Sequence, residues 1–235
     1  SILRNRTGHD FSRYKSSTIL RRIQRRIAFH QLDNMNDYLS CLINSQEEAH
    51  ELFQEFLIGV TSFFRDPTVF ESLGQFIQKK LVSSQADAQP LRVWVPGCST
   101  GEESYSIAML LAECAAKSPL ARDYQVFATD IDENAIDFAR KGRYDHSICE
   151  DIEEERLRKF FTEEKGEQYR IRKAIRETMV FAIQNIISDP PFSELDLICC
   201  RNLLIYFSSE LQKQVLSLFH YSLKPDGILV LGSSE

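Results

Sequence analysis

Leu91-Arg92-Val93-Trp94-Val95-Pro96-Gly97-Cys98-Ser99-Thr100-Gly101-Glu102-Glu103-Ser104-Tyr105-Ser106 is the stretch that decides the fold. The apolar run Leu91 to Val95 reads as a buried strand. Pro96-Gly97 ends it, small residues follow, and Gly101 with an acidic pair opens a helical pattern through Ile107, Leu110 and Leu111. Strand, tight small-residue loop and helix make the opening unit of an α/β sheet. The carboxyl end of such a first strand is where a nucleotide-like ligand binds, and glycine lets a ligand approach the main chain because it has no Cβ. The loop has no Lys after Gly101, as a P-loop requires. Its glycines are only Gly97 and Gly101, so it lacks the G-x-G-x-x-G dinucleotide pattern. Glu102 and Glu103 stand where a helix N-terminus would face a phosphate. They suit a ligand that is neutral or positive and offers hydroxyls or an amine. S-adenosylmethionine, with its sulfonium, ammonium and ribose, fits; an ordinary βα turn is the plainer reading.

The next strand weighs between them. Gln125-Val126-Phe127-Ala128-Thr129-Asp130 ends on an acid, followed by Ile131-Asp132-Glu133-Asn134-Ala135 at a helix start. An acid about 20 to 30 residues beyond the glycine loop, at the tip of strand two, is placed to bind ribose hydroxyls. Asp130 is assigned that contact and Asp132 the capping of the helix through Ile136 and Phe138.

Working outward, the chain of 235 residues is 43% apolar and carries a net charge of −6. That is enough for one large domain, or a domain plus a small one, and the charge argues against nucleic-acid binding. Six cysteines (Cys41, Cys98, Cys114, Cys149, Cys199, Cys200) show no C-x-x-C spacing. They read as reduced thiols of a cytoplasmic protein, with no zinc site. No apolar run approaches 18 residues, so no membrane insertion is expected. The chain reads as a piece of something longer, monomeric as an isolated domain.

Residues 1–85 read as a helical domain and linker. Ile19, Ile23 and Ile27 share one helix face, and Arg21, Arg22, Arg25 and Arg26 are placed on the other. Four arginines within six residues of an acidic protein form a positive patch suited to an acidic protein partner. Asn36–Ile43 and Glu47–Ile58 read as two further helices. Gly59 to Pro67 breaks the pattern, with Pro67 opening a new helix and Asp66 capping it. Phe63 and Phe64 read as packing between two domains, Arg65 as a functional candidate. Ser83 to Gln89 is a polar linker. From residue 90 to 235 the pattern alternates strand and helix. Five strands (Leu91–Val95, Gln125–Asp130, Thr178–Gln184, Leu195–Cys200, Ile228–Leu231) imply a parallel sheet with right-handed crossovers. Arg143 to Glu177 is too long for a simple connection and reads as an inserted helix and hairpin (143–178). Asp189-Pro190-Pro191-Phe192 is similar to the D-P-P-[FY] motif of amino-methyltransferases of nucleic acids. It precedes the fourth strand instead of following it and reads as a loop.

Six segments in order carry a resemblance: Thr61-x-Phe63-Phe64-Arg65, Ser99-Thr100-Gly101-Glu102-Glu103-Ser104-Tyr105-Ser106, Ala128-Thr129-Asp130-Ile131-Asp132, Cys200-Arg201-Asn202-Leu203-Leu204-Ile205-Tyr206-Phe207, Leu223-Lys224-Pro225-Asp226-Gly227 and Gly232-Ser233-Ser234-Glu235. Together they resemble the bacterial chemotaxis receptor methyltransferases, the CheR family. The run Leu57 to Arg65 looks most like the methyltransferase part of fusions that also carry a methylesterase domain. The resemblance implies an N-terminal helical domain and a Rossmann-like methyltransferase sheet with a small inserted β-subdomain. It implies transfer of a methyl group from S-adenosylmethionine to receptor glutamates, leaving S-adenosylhomocysteine. By resemblance the cofactor is held by Thr61, Arg65, Gly97, Glu102, Asp130, Asn185, Ile186, Arg201 and Asn202. Arg65 and Tyr206 match positions that assist the chemistry, and the helix through Arg22 matches the face that meets a chemoreceptor cytoplasmic domain. Three departures stand out. Gly59 replaces an Asn common in the family; the loop Thr162–Glu167 is short, which argues against docking of a receptor tail peptide; and the sequence stops after the fifth strand, where the resemblance implies a further antiparallel strand. A non-catalytic cofactor-binding signalling module, and a methyltransferase of another carboxylate, remain as other readings.

Overall fold

The computed structural model describes residues 2–57, 59–82, 89–118 and 121–235. They form two compact units: residues 1–58 with 203–216, and residues 59–202 with 217–235. The expected linker lies outside the described residues except for Gln89.

The first unit is helical: α1 (Ile2–Thr7), α2 (Ser16–Phe29), α3 (Met35–Asn44) and α4 (Gln46–Phe56). Sequence explains the breaks. Asn34 caps α3 by accepting from the amides of Asn36 and Asp37, and Ser45 caps α4 by accepting from Glu48. The apolar face of α4 supplies Leu52, Phe53 and Phe56 to the core, with Phe11 edge-on to Phe56 at 4.9 Å between ring centres. Residues 203–216 add Leu204, Phe207, Leu211 and Val215.

The periodicity that separates arginines from isoleucines on α2 fails at one place. Arg26 lies seven residues beyond Ile19, two full turns, and so shares the isoleucine face. It is buried, and its Nε donates to Glu48 at 2.9 Å. Tyr38 Oη donates to the same carboxylate at 2.6 Å, and His30 Nε2 lies 2.6 Å from it. Burial alone would raise Glu48, but these donors, Arg26 first, hold it at about 2. Arg22 and Arg25 both reach Glu55, at 3.7 and 3.6 Å. The expected four-arginine patch is thus smaller: Arg26 is a core residue, and Arg21, exposed, has no ion pair among the described residues.

The second unit runs α5 (Pro67–Val82), β1 (Leu91–Pro96), α6 (Glu102–Ala115), β2 (Tyr124–Asp130), α7 (Glu133–Lys141), β3 (Arg143–Asp145), α8 (Glu154–Phe160), β4 (Phe161–Glu164), β5 (Gln168–Ile171), α9 (Lys173–Arg176), β6 (Met179–Ile183), β7 (Leu195–Cys200) and β8 (Leu223–Leu231); α10 (Ser209–Ser222) begins in the first unit and ends in the second. The main sheet has the order β6-β2-β1-β7-β8, all parallel. β1 and β7 are central and nearly fully buried, which is why they read as continuous apolar runs. The inserted segment forms an antiparallel sheet, β3-β5-β4.

Two expectations shift. Helix α5 belongs with the sheet, not with the helical domain: Phe70, Leu73, Ile77 and Leu81 join one apolar core with Val93, Ile107, Leu111 and Leu197. The second concerns Lys224–Gly227, which reads as a turn but is part of β8, whose register against β7 slips between Leu195 and Leu197. At that bulge Gly227 runs so close to β7 that a Cβ would lie 2.8 Å from the Leu195 carbonyl.

Candidate functional site

Numbered within the main sheet alone, the strand order is 3-2-1-4-5. Its order reverses between β1 and β7, and ligands bind outside the carboxyl ends of the strands at such a point. Four chain segments meet there. β1 delivers Gly97 to Glu102, β2 delivers Asp130, β6 leads to Asn185, and β7 delivers Arg201 and Asn202. The register locks them: Pro96 pairs with Thr129 and Asp130 with Ile183. The Cys98 amide donates to the Thr129 carbonyl at 3.0 Å, and Gln184 donates to that of Asp130 at 2.9 Å.

The glycine loop is folded around Asp130. Its carboxylate accepts from the Ser99 amide at 2.7 Å and from the Asp132 amide at 3.0 Å. Asp132 caps α7 by accepting from Asn134. Ser99 adopts φ 49° and Gly101 φ 97°. A Cβ at Gly101 would lie 2.9 Å from that of Ala139, so the tight turn requires glycine here. Tyr144, from the inserted subdomain, donates to the Thr100 carbonyl at 2.7 Å and steadies the loop from outside. Glu102 opens α6, and both its oxygens accept from the Thr100 hydroxyl, at 2.9 and 2.7 Å. Burial pushes both carboxyls up: Asp130 against its two amides, Glu102 against Thr100.

The turn Thr61–Asp66 reaches the same loop. At Gly59 an added Cβ would lie 3.3 Å from Ser99 Oγ. The Phe64 amide donates to Ser106 Oγ at 3.0 Å, and that hydroxyl donates to the Glu102 carbonyl at 2.7 Å. Phe63 and Phe64 are buried inside this unit instead of between two domains. Phe63 packs edge-on against Tyr144 and Phe161, and Phe64 lies under the Arg156 guanidinium at 4.2 Å. Arg65 remains half-buried and donates to the Val60 carbonyl at 3.2 Å. Its neighbour Asp66 pairs with Arg201, not with Arg65.

The structure therefore brings Thr61, Arg65, Gly97, Glu102, Asp130, Asn185, Ile186 and Asn202 into one unit around the strand ends. Asn185 is locally engaged, its side chain accepting from Ile187 and its amide donating to Asp189. Arg201 departs from expectation. Its side chain is only 1% exposed, and its charged end is committed to Glu103, at 2.9 Å, and to Asp66. Those pairs take up both of its terminal nitrogens. Tyr206 belongs to the helical unit, where its carbonyl accepts from Lys15 at 2.9 Å. Sequence reasoning missed Ser106, Tyr144 and Asp66. The small residues at the start of α6 were the one signal available. In the Asp189–Phe192 loop only Phe192 packs, stacking on Phe127 at 4.6 Å, while Asp189, Pro190 and Pro191 are exposed.

The donor set tests which ligand fits. Among the described residues neither Asp130 nor Glu102 is ion-paired, though both are half-buried. Carboxylates in such a place call for hydrogen-bond donors or positive charge. A ribose and an ammonium satisfy that need; a phosphate, with no Lys or free Arg in the loop, does not. S-adenosylmethionine fits.

This sheet order, with one acid at the end of β2 and another opening α6 after the glycine turn, defines an adenosyl-binding methyltransferase domain. Residues 59–235 match the family described as CheR methyltransferase, SAM binding domain, and residues 1–57 match CheR methyltransferase, all-alpha domain. The chain belongs to the CheR methyltransferase family. It is 31% identical over 244 residues to the chemotaxis protein methyltransferase of Escherichia coli, covering 100% of this chain and 81% of that one. A Pseudomonas putida protein, Cher3, named as a candidate methyltransferase, is 34% identical over 235 residues, covering 97% of this chain and 83% of its own. A 104.1 kDa protein of Rhodobacter capsulatus is 42% identical over 226 residues; they span 96% of this chain but only 24% of that protein's length.

Proposed function

We propose that this chain transfers the methyl group of S-adenosylmethionine to glutamate side-chain carboxylates of a chemoreceptor cytoplasmic domain, in the cytoplasm, forming methyl esters. The observation that carries the reading is the Asp130 carboxylate, held between the Ser99 and Asp132 amides at the end of β2, with Glu102 on the same loop. Asp130 would accept from the ribose hydroxyls. Glu102, Thr61, Arg65, the Asn185–Ile186 segment and Asn202 would complete the site. When bound, the cofactor supplies a methyl group activated on a sulfonium and is left as S-adenosylhomocysteine.

A glutamate side chain, with an ordinary pKa of about 4.3, is already ionised at neutral pH and needs no general base. The site is consistent with that. None of the five histidines (His9, His30, His50, His146, His220) lies in the segments that form it, and burial pushes the Cys98 thiol up, so it stays protonated. The work left to the protein is to desolvate and align a weak nucleophile. Arg65 is the cation available in this unit to hold a carboxylate; the role of Tyr206 in orienting one rests on the family resemblance. Arg21, with Arg22 and Arg25 beside it, offers the positive face for an acidic partner.

The test is transfer of labelled methyl from the cofactor to receptor cytoplasmic fragments, followed by mild base. Label released by base supports a glutamate ester. No label, or label that survives base, overturns the reading.

A further inference from the structure

We propose that Arg201 is a positioning residue that fastens the turn carrying Arg65 to the helix behind the cofactor loop; this rests on the adenosyl-binding reading of the site. Its guanidinium divides between two carboxylates from separate parts of the unit. Nη1 donates to Glu103 Oε2 at 2.9 Å, and Nη2 donates to Asp66. Glu103 is the second residue of α6, directly after Glu102. Asp66 directly follows Arg65. The two acids thus flank the two segments that must close around one ligand.

Both terminal nitrogens of the guanidinium are engaged, while its buried Nε has no hydrogen-bond partner among the described residues. The other Glu103 oxygen accepts from the Cys199 thiol at 3.2 Å, which ties it to β7. The Phe70 ring lies 5.8 Å from the guanidinium carbon. Phe64 and Asp66, on either side of Arg65, have φ of 49° and 61°, and Asn202, next to Arg201, has φ 60°. Left-handed backbone at ordinary residues persists only where the surroundings hold it, and such residues gather at functional sites. Here the hold is visible: Arg201 grips the turn at Asp66, and Ser106 grips it at the Phe64 amide. Only a planar fork reaches two carboxylates at once in this way; an ammonium is a single point of charge.

Hydrogen exchange tests the role without depending on turnover. It is measured on the whole chain, free and with S-adenosylhomocysteine, for the wild type, Arg201→Lys, Asp66→Asn, Glu103→Gln and the Asp66→Asn/Glu103→Gln double variant. In the wild type the ligand is expected to slow exchange in both 97–103 and 61–66. In Arg201→Lys the ligand still slows 97–103, but protection in 61–66 falls by about tenfold, the scale of a lost charged hydrogen bond. Each acid variant reproduces that loss and the double variant adds nothing, because one brace is broken once. Wild-type protection of 61–66 in Arg201→Lys, or losses that multiply in the double variant, would overturn the proposal. If the wild type fails to bind S-adenosylhomocysteine, the cofactor reading fails instead. The brace is then judged in the free protein, where 61–66 must still exchange about tenfold faster in Arg201→Lys. Should Arg201→Lys not fold, Asp66→Asn, at a half-exposed carboxylate, decides by the same loss or retention of protection in 61–66.

Discussion

Replacing Asp130 by alanine separates the two tasks assigned to that carboxylate. In the free protein it accepts from Ser99 at 2.7 Å and from Asp132 at 3.0 Å. Removing it strands two amides, each at a cost of about 1–3 kcal/mol where water cannot replace the acceptor. The unfolding free energy should therefore fall by roughly 2–4 kcal/mol, since the site is open enough for partial solvation. Cofactor affinity should fall separately, by about 1–3 kcal/mol for the lost ribose contact, or roughly 5- to 150-fold in Kd. Asp130→Asn keeps one acceptor and should fall between wild type and alanine on both scales. Urea unfolding gives the first quantity and calorimetric titration with S-adenosylhomocysteine the second. Unchanged affinity in a destabilised alanine variant would show that the carboxylate only shapes the loop, and the ribose assignment would be lost.

Further outcomes are expected. Arg65→Ala and Tyr206→Phe should each reduce labelled-methyl transfer while circular dichroism and melting stay as in the wild type; full activity in both would end their role. Arg26→Ala should destabilise the protein by about 3 kcal/mol, since buried Glu48 loses its guanidinium and keeps only Tyr38 and His30 as partners. Arg21→Glu should leave stability alone and raise KM for a receptor fragment, more so at low salt; the reverse pattern would reassign the patch. Glu48 is depressed from its ordinary 4.5 to about 2. Its contribution to stability is therefore complete above about pH 4.5 and is lost as pH falls toward 2, about 3 kcal/mol in all. Denaturation midpoints in Glu48→Gln that track the wild type through that window would contradict the linkage.

The parts of the fold legible in the sequence were those written in local signals. Gly97, Gly101, Asp130 and Asn202 each sit next to a strand end, and strand ends announce themselves by the change from apolar run to small or polar residues. What escaped depended on partners far along the chain. Arg201 reads as a ligand-facing cation after a strand because its acids, Glu103 and Asp66, lie 98 and 135 residues away. Arg26 reads as part of a basic face because Glu48 is 22 residues distant, although its two-turn spacing from Ile19 already placed it inward. Helix α5 reads as part of the helical domain and belongs with the sheet, because an amphipathic stripe does not say which apolar surface will cover it.

The close approach of Gly59 to Ser99 Oγ also limits how this chain can be recombined with its relatives. The family resemblance expects an asparagine at residue 59, and a Cβ there would lie 3.3 Å from Ser99 Oγ, so that hydroxyl must give way by a few tenths of an ångström while the Ser99 amide stays bonded to Asp130. Restoring the asparagine alone would thus ask the Ser99 hydroxyl to turn aside. Chimeras that carry residues 59 and 99 over as a matched pair, or leave both alone, keep turn and loop compatible.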